Sequence, residues 1–173
     1  GGTNADLTKT CSKSGWTFVG WNTSSIATSK LSSYTVSSNV TLYGIYRKEA
    51  ITYTASTYKN ISSAIGTNST ASCTIAAVYN NNTQATSCNI TLPSNPYTFT
   101  NWTFNGWVSG SGITTTTKTS GSASGTSLSI SSNINLVATW KRDYTATFYT
   151  YQGNKTATCT AYNNNICTFT LPS

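Results

Sequence analysis

Histidine and methionine are absent from the 173 residues, and acidic side chains number 3. Without an imidazole neither a Ser-His-Asp nor a Cys-His relay can be assembled. The acids are Asp6, Glu49 and Asp143. The last two stand at equivalent points of a repeat set out below, one per unit, so no paired carboxylate site for general acid–base work is expected. Charged residues make up 8% of the chain, against about 25% in an average soluble protein. No apolar run approaches the ~18 residues of a membrane span. No glycine-rich phosphate motif occurs. The composition points away from an enzyme, and it calls for no cofactor and no metal.

Serine, threonine and asparagine fill the space that charges leave, and aromatics are plentiful, with 11 Tyr, 5 Trp and 5 Phe. Disordered chains combine few aromatics with high charge; this one reverses both and is expected to bury a core. The net charge is +7, from 10 basic residues. Apart from Arg47-Lys48 and Lys141-Arg142 the bases are scattered, whereas a nucleic-acid binder gathers them on one face. No nucleic-acid partner and no membrane insertion are expected. Spaced cysteines among Ser/Thr-rich strands suit an oxidising, extracellular compartment. The opening Gly1-Gly2 without Met reads as a mature or excised piece of a secreted protein.

The chain repeats itself. GWTFVGW (Gly15 to Trp21) returns as NWTFNGW (Asn101 to Trp107), and NVTLYGIYRKE (Asn39 to Glu49) returns as NINLVATWKRD (Asn133 to Asp143). Between these lies SCTIAAVYNNNTQATSCNITLPS from Ser72, which returns as TCTAYNNNICTFTLPS from Thr158. Each is preceded by a Tyr/Thr-rich stretch, ITYTASTYKN or YTATFYTYQGN. Order, spacing and residue type agree, which divides the chain into three parts: 1–47 as the back half of a unit, 48–142 as a complete unit and 143–173 as the front half of another.

Period-two alternation dominates, so the expected fold is mainly β, with antiparallel strands and little helix. In NINLVATW, Ile134, Leu136, Ala138 and Trp140 share one face. In GWTFVGW, Trp16 and Phe18 share a face, and Gly20 permits a bulge that re-aims Trp21 toward them; Gly106 and Trp107 repeat the arrangement. The expected core set is Trp16, Phe18, Trp21 and Tyr46, with repeat equivalents Trp102, Phe104, Trp107 and Trp140. The Asn triplets at 80–82 and 163–165 read as tight loops, since Asn tolerates left-handed backbone.

Cys73 and Cys88 occupy the same places as Cys159 and Cys167, and each pair flanks one of these loops. Strand neighbours lie within disulfide reach, which predicts Cys73–Cys88 and Cys159–Cys167, each worth about 2–3 kcal/mol in the chain-entropy picture. Zinc is not expected, because histidine is missing and the gaps are too wide for ligand pairs. Cys11 is left over; a buried thiol, an intermolecular bridge and a partner outside this segment are all open to it.

The order of strand pair, Leu-Pro-Ser, [Gly/Asn]-Trp-Thr-Phe-x-Gly-Trp, loop and Asn-[Val/Ile]-x-Leu-x-x-x-[Tyr/Trp] resembles the Listeria–Bacteroides repeat, the internalin B-repeat of bacterial cell-surface proteins. The resemblance spans nearly the whole chain. It implies tandem β-grasp-like modules serving as stalks, spacers or adhesive units, and it brings no catalytic residue. The Cys pairs and the scarcity of acids depart from the common pattern. On this basis the chain is expected to be a non-enzymatic structural repeat module of a secreted or cell-surface bacterial protein. Its half units would be completed by adjacent repeats or by copies of itself, head to tail, in a stalk or filament. The alternative is an adhesin that binds a host glycan or protein through the loop at 108–127, where the two units differ most in length.

Overall fold

The computed structural model describes residues 2–59, 69–110 and 120–171. It is mainly β, with no helix among the described residues. Among the described residues twelve strands follow in order: β1 (Thr3–Asn4), β2 (Thr17–Asn22), β3 (Thr35–Val36), β4 (Tyr43–Lys48), β5 (Ile51–Tyr58), β6 (Thr70–Ile75), β7 (Val78–Tyr79), β8 (Cys88–Thr91), β9 (Thr103–Gly110), β10 (Ser127–Ile130), β11 (Ile134–Thr150) and β12 (Gly153–Tyr162). The residue mix explains the class. Thr, Tyr, Val and Ile suit a pleated surface, while Ser and Thr favour turns and caps over helix interiors.

Two compact units form, one from Gly1–Thr52 with Thr74–Cys88, the other from Tyr53–Cys73 with Asn89–Ser173. These bounds differ from the repeat divisions at 47/48 and 142/143. The reason is that strands following a back half in sequence pack onto it in space. In the first unit β4 is flanked by β2 and β7, and β1 pairs with β3. In the second, the large sheet runs β12-β11-β5-β6 with β9 also on β11, and β8 pairs with β10.

In the second unit β5 and β11 lie side by side in parallel, Ala55–Tyr58 against Ile134–Val137. Antiparallel partners flank them, with β9 on β11 and β6 on β5. The strand β11 then continues without a break through Lys141-Arg142-Asp143 into the next front half, pairing with β12 from Lys141 to Thr150. After β4, by contrast, Glu49 and Ala50 lie outside any strand and separate it along the chain from β5.

Both expected bulges are present. The β2–β4 register shifts between Phe18 and Gly20, and the β9–β11 register shifts where Trp107 and Phe104 face Ala138 and Trp140. Gly20 and Gly106 adopt φ of 146° and 101°, a region that L side chains rarely enter. At Gly106 a Cβ would also meet the Gly121 carbonyl oxygen at 2.4 Å. The extra residue turns each second Trp onto the face of its Phe, giving edge-on ring pairs at 5.5 Å for Phe18–Trp21 and 5.1 Å for Phe104–Trp107.

The contiguous core belongs to the second unit: Ala55, Ile90, Leu92, Trp107, Ile130, Leu136, Ala138 and Trp140. In the first unit the fully buried apolar side chains are Ile45 and Ile75.

Candidate functional site

The two back halves can be compared position by position, and the features that matter for function are those in which they agree and those in which they differ. They agree at an asparagine clamp. The β4–β7 ladder has Arg47 opposite Tyr79, and the β11–β12 ladder has Lys141 opposite Tyr162. At the next residue the chain turns into left-handed backbone, with φ of 59° at Asn80 and 51° at Asn163. The side chain then supplies the next rung. Asn80 N–H donates to the Tyr46 carbonyl at 2.7 Å and its Oδ1 accepts from Tyr46 N–H at 3.2 Å. Asn163 does the same to Trp140 at 2.9 Å in both directions. The Asn80 amide also donates to the carbonyls of Ser25 and Ala27, at 3.0 and 3.1 Å. Each back half thus grips the hairpin end of the front half that follows it.

A second agreement is the indole anchor. Trp21 Nε1 donates to the Lys9 carbonyl at 2.7 Å and Trp107 Nε1 to the Pro93 carbonyl at 2.8 Å. Trp107 and Trp140 are buried, while Trp16, Phe18, Trp21, Tyr46, Trp102 and Phe104 are half-buried. Phe99 stacks on Trp102 at 5.2 Å; its counterpart in the first unit is Lys13, whose ammonium lies 4.4 Å from the Trp16 ring.

The difference lies along the seam where a front half meets a back half. In the second unit β5 lies on Ile134–Val137. Thr54 N–H donates to Asn133 Oδ1 at 2.9 Å, Trp140 Nε1 to the Lys59 carbonyl at 2.8 Å, and the Tyr97 hydroxyl to the Thr57 carbonyl at 2.6 Å. The matching residues of the first unit are Asn39, Val40 to Tyr43, Tyr46 and Cys11. Among the described residues β4 pairs with β2 and β7 only, so this edge carries no parallel partner. Tyr43 is 42% exposed where Val137 is 3%, and Leu42 is half-buried where Leu136 is fully covered.

The complementary excess sits on the front half formed by the distal part of β11, by β12 and by the Cys159–Cys167 bridge. Tyr149 and Ile166 are exposed there. The sharpest contrast involves one tripeptide, Leu-Pro-Ser. Leu92, which precedes a back half, is 2% exposed, and Leu171 is 73% exposed.

The four paired cysteines are bridged as the spacing predicts, Cys73 to Cys88 and Cys159 to Cys167, the latter with Cα atoms 5.9 Å apart. The supporting geometry is not that of ladder neighbours. Cys73 lies in β6 of the large sheet and Cys88 opens β8, which pairs with β10, so the bridge joins two sheets. Cys11 is an exposed free thiol. It lies close enough to Tyr46 to add to the effect of desolvation, and together they push that phenol above the usual tyrosine range. Glu49 pairs with Arg47 at 3.0 Å in an exposed position. Asp143 accepts a hydrogen bond from Thr160 at 2.6 Å. Neither carboxylate faces a second one. The loop at 108–127 lies in part outside the described residues, at 111–119. No described helix is long and apolar enough to cross a membrane.

Sequence reading assigned the Asn triplets to loops and missed the clamp. The signal was present: both triplets directly follow a Tyr. Only the pairing of strands shows which carbonyl and which amide the first Asn addresses. No family model matches this chain, and no curated protein or solved structure matches it.

Proposed function

We propose that this chain is a non-enzymatic structural repeat module of a bacterial cell-surface or secreted protein, of the kind the internalin B-repeat resemblance implies. Its half units complete one another between neighbours, so that repeats or copies join head to tail in an extracellular stalk or filament. The observation that carries the reading is the mismatch at the two half units. One back half leaves Tyr43 exposed along an edge without a parallel strand among the described residues, and one front half leaves Leu171 in solvent, whereas Val137 and Leu92 in the complete unit are buried.

The physical argument is strand addition. An open β edge offers unpaired N–H and C=O groups, and a strand that also delivers apolar side chains is the natural occupant. The sequence YTATFY at Tyr144 to Tyr149 matches YTASTY at Tyr53 to Tyr58, so its residues Ala146 to Tyr149 correspond to the part of β5 that lies on β11. A contact of this kind is heterologous and propagates unless it closes into a ring. The asparagine clamp and the two disulfides suit a stiff, protease-resistant element, and disulfides fit an oxidising compartment.

Light scattering with negative-stain microscopy across concentration tests the reading. Regular fibres or tapered oligomers should form with increasing concentration, and removal of residues 143–173 should abolish them. Filaments from the truncated chain would refute it.

A further inference from the structure

We infer that β3 carries a second acceptor edge, which β1 holds until the Cys167 to Leu171 segment of another copy takes its place. The inference rests on the strand-addition reading above and adds the second donor strand and the segment it displaces.

The two units give the argument. Tyr34-Thr35-Val36-Ser37-Ser38-Asn39 corresponds to Leu128-Ser129-Ile130-Ser131-Ser132-Asn133, so β3 is the counterpart of β10. In the second unit the partner of β10 is β8. The chain stays docked beyond it, with Leu92 N–H on the Thr126 carbonyl and Gly125 N–H on the Leu92 carbonyl, both at 2.8 Å. This strand delivers Ile90 and Leu92 to the core.

In the first unit the same edge is taken by β1. Thr3 faces Val36 and Asn4 faces Thr35, Ala5 N–H donates to the Tyr34 carbonyl at 2.8 Å, and Thr35 Oγ1 donates to Asn4 Oδ1 at 2.9 Å. The backbone is therefore satisfied, but Thr3 and Asn4 are exposed and Ala5 is the sole apolar side chain of the segment to turn partly inward. Around it Trp21, Tyr34 and Val36 remain half-buried, where Trp107 and Ile130 are fully covered.

The segment that fits better is on the chain itself. CTFTL at Cys167 to Leu171 aligns with CNITL at Cys88 to Leu92, placing Phe169 for Ile90 and Leu171 for Leu92. One edge admits one strand, so docking of this segment requires β1 to leave. The exchange trades two exposed polar residues for two buried apolar ones, which is the direction the hydrophobic effect favours. Gly2 holds β1 in place by being small: a Cβ there would meet the Val36 carbonyl oxygen at 2.6 Å and Thr35 Cγ2 at 2.8 Å.

Sedimentation velocity over a concentration series separates the outcomes, using the full chain, Gly2→Val, Leu171→Asp and the double variant. Unseating β1 raises the fraction of copies with an open edge. If β1 is seated in roughly nine copies of ten, Gly2→Val tightens self-association about tenfold. Leu171→Asp should abolish association in both backgrounds. A chain trimmed of residues 2–5 should behave like Gly2→Val, which separates loss of β1 from any local misfolding caused by Val. If Gly2→Val and the trimmed chain associate like the unmodified chain while Leu171→Asp is monomeric, strand addition stands and the displacement of β1 is wrong. Association that survives Leu171→Asp overturns the donor assignment. Absence of association in every chain overturns both the inference and the reading beneath it.

Discussion

Asn80 and Asn163 each perform two tasks that few residue types combine. Their backbone adopts the left-handed conformation that ends the hairpin, and their side chain replaces the rung that this turn removes. Asn is suited because its short amide tolerates that conformation while offering both a donor and an acceptor. Asn163 is buried, so Asn163→Ala leaves Trp140 N–H without an acceptor in a dry environment. The expected loss is about 1–3 kcal/mol, measured as a lower urea midpoint followed by Trp fluorescence. Asn163→Gly should preserve the turn and lose the rung, and should fall between the two. Asn80→Ala should cost less, since Tyr46 is only half-buried and water can replace the lost partner.

At the scale of the element, the front-half hairpin is held at two ends, by the clamp and by a disulfide. The Cys159–Cys167 bridge spans a separation of 8 residues. Replacing both cysteines by Ser should lower stability by about 2–3 kcal/mol, read as earlier proteolysis between Tyr162 and Leu171. Peptide mapping under non-reducing conditions should recover both bridges and show Cys11 as the alkylated thiol. The long strand β11 makes a different contribution. It runs through Lys141 to Asp143 without interruption, pairing with β5 and β9 in its first part and with β12 from Lys141 onward. A continuous strand transmits its direction along its whole length.

For the whole molecule, identical local sequences have unequal environments, and a matched pair of substitutions exposes this. Leu92→Ala removes a fully buried side chain of the core and should cost about 2–5 kcal/mol. Leu171→Ala should leave the thermal stability of the monomer nearly unchanged, because the residue is 73% exposed, and should weaken self-association instead. Calorimetry at low concentration and sedimentation at high concentration read the two effects separately. A large thermal loss from Leu171→Ala would show that this leucine is already packed within the monomer.

The sequence by itself determined the β class, the bulges at Gly20 and Gly106 and the pairing of four cysteines. Each of these is written locally, in a period of two, in a glycine between aromatics or in matched spacings. The tertiary structure decided the rest. The Cys73–Cys88 bridge joins two sheets, the first Asn of each triplet completes a ladder, and the compact units cut across the repeat divisions, because all three depend on which strands lie side by side. Above all, NVTLY and NINLV predict the same buried edge, yet one has a parallel partner and the other has none among the described residues. A strand's pattern states which face it can bury; only the presence of a neighbouring strand settles whether that face is covered.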